Sequence, residues 1–318
     1  MSRKSILRAI FCAAALFLAL ALTPGLAVAG AMKVTLVLPG TINDKSANQA
    51  TYEAMAAAQK KHGFEFAYSE KVEQADQSRA LSDYAKRGYG LVVAMGGEFA
   101  ESMPRAAKKH PDSHFLCMYC GPGDGFTSVS FDFRETGIVF GFIGARAAPS
   151  KTVGFIGGQK IKITADIAEG MAIGAKLADP AGKVLVTYTN DWNDVAKAKE
   201  AALAQYAQGA GAIGSLLDKA IAGIWRAASE KKQWVLNPIW DLSTVKPDIA
   251  LASVIMDGEK ALTAIVGDFG TGKLEKRHYS FGFSTPHMYL GKISAKYDAE
   301  IGKDAAAVVE DIRSGKLK

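Results

Sequence analysis

Short apolar runs alternate with stretches of helical periodicity along most of the chain. The run Val34–Leu38 is closed by Pro39-Gly40, and a helix predicted over Ser46–His62 stops at Gly63. Strands follow at Glu65–Ser69, Gly90–Ala94, His114–Met118 and Thr127–Phe131, with helices at Asp76–Lys86 and Phe99–His110 between them. A second set opens with an amphipathic stretch, Glu135–Ala148. It continues with strands Thr152–Ile156, Lys183–Thr187, Ala212–Leu216 and Gln233–Asn237 and helices Ile163–Leu177, Asp194–Gln208 and Lys219–Lys231. Strand–helix alternation predicts parallel sheets covered by helices on both faces, and two sets predict two α/β lobes, each doubly wound.

The opening unit, KVTLVLPGTINDKSANQATYEAM, joins a buried strand to a helix through a polar turn carrying Asn43 and Asp44. A close analogue returns about 150 residues later: VLVTYT, then Asn190-Asp191-Trp192-Asn193-Asp194, then an alanine-rich helix. In doubly wound sheets the turn at a strand's C-terminal end lies in the ligand crevice. Two lobes that each aim such a turn at a shared crevice describe a hinged binding protein.

The first 29 residues read as an export signal. Arg3, Lys4 and Arg8 precede an apolar run from Ala9 to Leu22, and Ala27-Val28-Ala29 supplies the small residues of a cleavage site. Cys12 lies inside the apolar run, far from that site, so a lipid-anchored cysteine is not expected. Removing 29 of 318 residues leaves 289, enough for two sizeable cores, and lowers the formal charge from +6 to +3 because the segment holds three cations and no acid. No run of five basic residues occurs, which argues against a nucleic-acid partner. A soluble, monomeric periplasmic protein is expected.

Cys117 and Cys120 remain after export, where a disulfide is permitted. Residues three apart on a strand point to opposite faces, so pairing would require a sharp turn at Tyr119-Cys120.

Enzyme-like matches fail on their context. Gly267–Lys273, GDFGTGK, resembles a phosphate loop, yet Leu274 stands where Ser or Thr is needed and a helix precedes it. His110 and His114 are separated by Pro111, so no helix carries both rings on one face. No G-x-S-x-G elbow occurs. No catalytic centre, metal or cofactor is expected.

Polar and aromatic residues at strand ends remain as the candidate binding set. They are Asn43 and Asp44, then Gly97, Glu98 and Phe99 after LVVAM, then Asn190, Asp191 and Trp192 after VLVTY, and Trp240-Asp241 after WVLNP. Asn43, Asn193 and Asp194 read equally well as helix caps. Trp192, set among acids and amides in a loop, favours ligand stacking, whereas Trp225 and Trp234 read as packing residues.

Four stretches resemble the basic membrane protein family of ABC-transporter substrate-binding proteins: GTINDKSANQATYEAM, VGFIGGQKIKITADIAEGMAIGAK, NDWNDVAKAKEAALAQYAQGAGAI and LASVIMDGEKAL. The resemblance implies two lobes joined by three crossovers. The expected boundaries are roughly 31–131 with 241–276 for one lobe and 132–240 with 277–318 for the other. It implies a small-molecule ligand and an ABC permease as partner, with Trp192 matching an aromatic that stacks on a purine in nucleoside-binding members. Asn43, Asp44 and Gly97 to Phe99 match loops that line the ligand.

This chain also departs from that pattern. Ala47 stands where the family usually has a second aromatic, and Pro39 stands near an acid seen in many members. Ile239 stands where a carboxylate would hold ribose, with Asp241 two positions later, and Asp218-Lys219 replaces a glycine-rich turn, which adds Asp218 to the candidate ligand-binding residues. A purine base or another small planar heterocycle therefore fits better than a nucleoside. A nucleoside receptor with a rearranged pocket is the alternative within the class, and a ligand-sensing partner of a membrane receptor is the alternative outside it.

Overall fold

Two six-stranded sheets organise residues 32–317, which are those the computed structural model describes. The first sheet contains β1 (Lys33–Val37), β2 (Glu65–Ser69), β3 (Leu91–Met95), β4 (His114–Met118), β5 (Thr127–Phe131) and β11 (His278–Phe281). Its order is β2-β1-β3-β4-β5-β11, and every pairing is parallel. The second sheet contains β6 (Thr152–Gly157), β7 (Lys183–Tyr188), β8 (Ala212–Leu216), β9 (Trp234–Ile239), β10 (Ala250–Met256) and β12 (Met288–Leu290). Its order, β7-β6-β8-β9-β10-β12, repeats that of the first, except that β12 pairs antiparallel to β10. Central strands are buried on both faces, as in Leu91–Met95, where all five residues are buried.

The strand order reverses direction beside β1 and β3 in one sheet and beside β6 and β8 in the other. These are the switch points at which open α/β sheets leave a crevice. Helix α1 (Ala47–His62) follows β1, α2 (Gln77–Lys86) follows β2, and a short 3₁₀ turn leads into α3 (Ser102–Lys109) after β3. The second set carries α4 (Phe133–Ala147), α5 (Lys162–Ala178), α6 (Val195–Ala207) and α7 (Ile221–Lys231). Helices α8 (Gly258–Gly270) and α9 (Ala295–Arg313) complete the fold.

Two expectations change. The stretch around α4 is buried on nearly every face instead of being amphipathic, because α5 packs along it and α9 adds to its cover. The crossovers also fall later than expected. β10 pairs with β9 in the second sheet, and β11 pairs with β5 in the first, so the chain recrosses near residue 257 and again after Phe281. The GDFGTGK segment is the end of α8 and its stop, with Gly272 at φ +70°. Cys117 and Cys120 are joined, with Cα atoms 5.6 Å apart, and Tyr119 between them takes the sharp turn at φ +61°. The 29-residue leader lies outside the described residues. Among the described residues no helix is long and apolar enough to cross a membrane.

Candidate ligand site

Strand ends from both sheets converge on a cavity of about 160 Å³. The first sheet contributes Pro39-Gly40 after β1, the start of α1, Met95–Glu98 after β3, and Tyr119 after β4. The second contributes Trp192 after β7, Leu216 and Asp218 after β8, Ile239 at the end of β9, and Ile161 and Ile163 around the start of α5. Phe133, the first residue after the first crossover, completes an apolar wall. A wider mouth of about 800 Å³ shares Glu98, Tyr119, Phe133 and Trp192 with this cavity, so the two form one cleft. Several of these strand ends are conformationally unusual. Tyr119 has φ +61°, Asn190 +55° and Ile239 +79°. A β-branched residue in that region is an outlier of the kind that gathers at functional sites.

Trp192 is held from several directions. Asp191 accepts backbone N–H bonds from Asn193 at 2.7 Å and Asp194 at 3.0 Å, and Asp194 caps α6 by accepting from the Lys197 N–H. The Trp192 carbonyl accepts from the Asp218 N–H at 3.0 Å and the Ala220 N–H at 3.2 Å, which ties this loop to the one after β8. The indole lies so close over Gly158 that a Cβ there would run into the ring. Half-buried and backed by Gly158, the ring lines both the cavity and its mouth.

Three carboxylates meet behind and beside the cavity. Asp44 is buried and fully engaged at the start of α1. It accepts from the backbone N–H groups of Ser46, Gln49 and Asn48 and, at 2.6 Å, from Asn48 Nδ2. Asn48 Oδ1 in turn accepts from the Gly40 N–H at 3.0 Å, and Asn48 Nδ2 reaches Asp218 Oδ2 at 3.5 Å. Ser46 Oγ donates to the Leu217 carbonyl at 2.7 Å, so the start of α1 touches the second lobe directly.

Burial raises the pKa of the Asp218 carboxyl to about 7, and the charges of Asp44 and Glu98 add to the rise against the opposing Asn48 bond. Burial raises that of Glu98 as well, although its own surface remains wetted by the cleft.

A raised carboxyl means that the folded protein holds a proton which the unfolded chain gives up near pH 4. Stability is therefore lost as pH rises from about 4 to about 7. With allowance for cleft water, ionised Asp218 should cost roughly 1–3 kcal/mol. Asp218→Asn should accordingly raise the melting temperature at pH 8 by about 2–8 °C and leave it nearly unchanged at pH 4. An equal shift at both pH values would refute a charge effect.

Of the residues anticipated from sequence, Gly97, Glu98, Trp192 and Asp218 line the cavity. The others do not, each for a physical reason. Asn43 is exposed and lines neither the cavity nor its mouth, and Asp44 is the cap of α1. Phe99 is fully buried in the first lobe's core among Leu81 and Met103. Asn190 and Asp191 shape the Trp192 loop without lining the cavity. Trp240 packs edge-on against Trp225, ring centroids 6.0 Å apart, and Asp241 caps the turn Leu242–Thr244 through the Ser243 N–H. Asn48, Tyr119, Phe133, Ile161 and Ile163 were not anticipated. Asn48 belongs to the quoted N-D-K-S-x-N run, so a signal existed; the others carry no local signal. Among the described residues no cluster of His, Cys, Asp and Glu is placed to hold a metal.

Comparison with known proteins agrees with this architecture. Residues 31–283 match the family model described as Bmp: ABC transporter substrate-binding protein PnrA-like. The chain is 25% identical over 280 residues to the transcriptional activator protein med of Bacillus subtilis (strain 168), covering 87% of each. It is 28% identical over 174 residues to the ABC transporter nucleoside-binding protein BmpA of Lactococcus lactis, covering 53% of this chain and 50% of that one. Its fold is shared with an ABC transporter system solute-binding protein from Aeropyrum pernix K1, at TM-score 0.82 and 18% identity over 90% of this chain and 92% of that one. With a cleft between two parallel-sheet lobes and a family match across most of its length, the chain belongs to the Bmp family of PnrA-like ABC transporter substrate-binding proteins.

Proposed function

We propose that the protein is an exported, periplasmic solute-binding protein that delivers a small planar heterocycle of the purine-base class to an ABC permease. The observation that carries this reading is the half-buried Trp192 ring, backed by Gly158 and lining a largely apolar cavity that Glu98, Asp218, Asn48 and Asn193 also line. A flat aromatic wall suits a planar ligand, and convergent polar groups fix its orientation. The leader, read from Arg3 to Ala29, supports delivery outside the inner membrane.

The likeness to a protein named as nucleoside-binding supports a ligand containing a base. Ile239, however, lines the same cavity and offers no acceptor to sugar hydroxyls. Adenine should therefore bind at least as tightly as adenosine in calorimetric titrations of the mature protein. Adenosine binding a hundredfold tighter would overturn the base reading and make the protein a nucleoside receptor.

A sensing role is the second reading, favoured by the likeness over 87% of both chains to a protein named as a transcriptional activator. Ligand-dependent association with a permease supports transport, and association with a receptor kinase supports sensing.

A further inference from the structure

We infer that this cavity prefers a planar ligand with a positively charged, N–H-rich edge over a neutral one of the same shape, and that Asp218 together with Glu98 sets that preference. The inference rests on the cavity being the binding site proposed above, and it goes further by assigning the charge and hydrogen-bonding character that the site favours.

Several of the cavity's donors are committed to protein acceptors, whereas the Tyr119 hydroxyl, the Asn193 amide and the Trp192 indole N–H have none among the described residues. Ser46 Oγ donates to Leu217, the Gly40 N–H to Asn48, and Asn48 Nδ2 to Asp44 and Asp218. Two carboxylate acceptors in the lining also remain open. Asp218 has only the long 3.5 Å bond from Asn48 on its side chain, and Glu98 receives only its own backbone N–H.

No lysine, arginine or histidine lines the cavity. The lysine at the mouth, Lys162, is paired with Asp166 at 2.7 Å. Asp44, which lies behind the lining, adds a third acid that is felt at Asp218. Tyr119, the lining phenol, has its pKa raised by burial and by Asp44, so it contributes no negative charge at neutral pH.

Two under-bonded carboxylates in one cleft repel each other until something neutralises them. A cation with N–H groups supplies both the charge and the missing donors, through charge-assisted hydrogen bonds. The Trp192 face adds the attraction of a ring quadrupole for a cation. A carbonyl edge turned toward these two acids would instead meet carboxylate lone pairs, and an anion would meet like charge.

Benzamidine and benzamide provide a near-isosteric pair of planar probes, one bearing a permanent amidinium edge and the other a neutral amide. In titrations at pH 8, benzamidine should bind the wild type at least tenfold tighter than benzamide. The double variant Asp218→Asn/Glu98→Gln, checked for folding by thermal melt, should reduce that preference to about twofold or less. Trp192→Ala should weaken both probes by a similar factor.

Equal binding of the two probes, or failure of benzamidine to bind at millimolar concentration, overturns the charge assignment. So does a preference that survives in the double variant. If the probes differ as expected but Trp192→Ala changes neither, the charged edge binds elsewhere and the cavity reading itself fails.

Discussion

Gly174→Ala should destabilise the protein by about 2 kcal/mol or more and lower its melting temperature by roughly 4–8 °C. Helices α4 and α5 cross with their backbones in contact, through Gly137 and Gly141 on one and Gly170 and Gly174 on the other. A Cβ on Gly174 would land on the Ile138 carbonyl oxygen and within 2.7 Å of the Phe142 nitrogen. Both obstacles are backbone, so no side chain can swing aside, and the strain falls on the helix axes. The gain of about 1 kcal/mol from replacing glycine by alanine inside a helix offsets only part of this.

The consequence reaches the ligand site, because α4 begins at Phe133 and α5 begins between Ile161 and Ile163, three residues of the cavity wall. Prising the helices apart should therefore weaken ligand binding as well as stability. Gly258→Ala is the control, since its nearest neighbour is the Ala54 Cβ at 4.0 Å. Calorimetric melts showing both variants within a degree of wild type would contradict the close crossing.

Much of the fold was readable because strand and helix periodicities differ and central strands such as Leu91–Met95 are apolar throughout. Glu65–Ser69, His114–Met118, Thr127–Phe131 and Ala212–Leu216 occupy the spans their residues predict. Lobe membership was harder to read. The run LASVIM is apolar and would suit either sheet, and only its pairing with Val235–Ile239 places it in the second. The burial of α4 on all sides likewise depends on glycine pairs whose partners lie some 30 residues apart in sequence.

The site divides in the same way. Trp192 stood out because an indole among acids and amides has little core to enter, and Asp218 because it replaces a glycine-rich turn. Phe99 and Trp240 occupy equally promising strand ends, yet one turns into the first lobe's core and the other onto Trp225. A strand end locates the backbone at the crevice; the backbone torsions after it decide where the side chain goes. Asn48 could not be assigned its bridging role from its neighbours alone, because its partners Gly40, Asp44 and Asp218 converge only in the folded chain.

Trp192→Ala carries the largest expected effect on binding. Aromatic stacking on a base contributes about 1–3 kcal/mol, so affinity should fall by roughly one to two orders of magnitude. Stability should change little. The ring is only half-buried, and the loop around it is held by main-chain bonds that the substitution leaves in place: Asp218 N–H and Ala220 N–H to the residue 192 carbonyl, and Asn193 N–H to Asp191. Gly158 would lose its cover without gaining a clash.

Titrating adenine into wild-type and Trp192→Ala protein, with thermal melts of both, is the most direct test that this cleft binds a planar ligand against Trp192. The expected result is measurable adenine binding to the wild type, weakened about ten- to hundredfold in a variant that melts within a few degrees of it. Wild-type affinity in a folded Trp192→Ala protein would contradict the central claim.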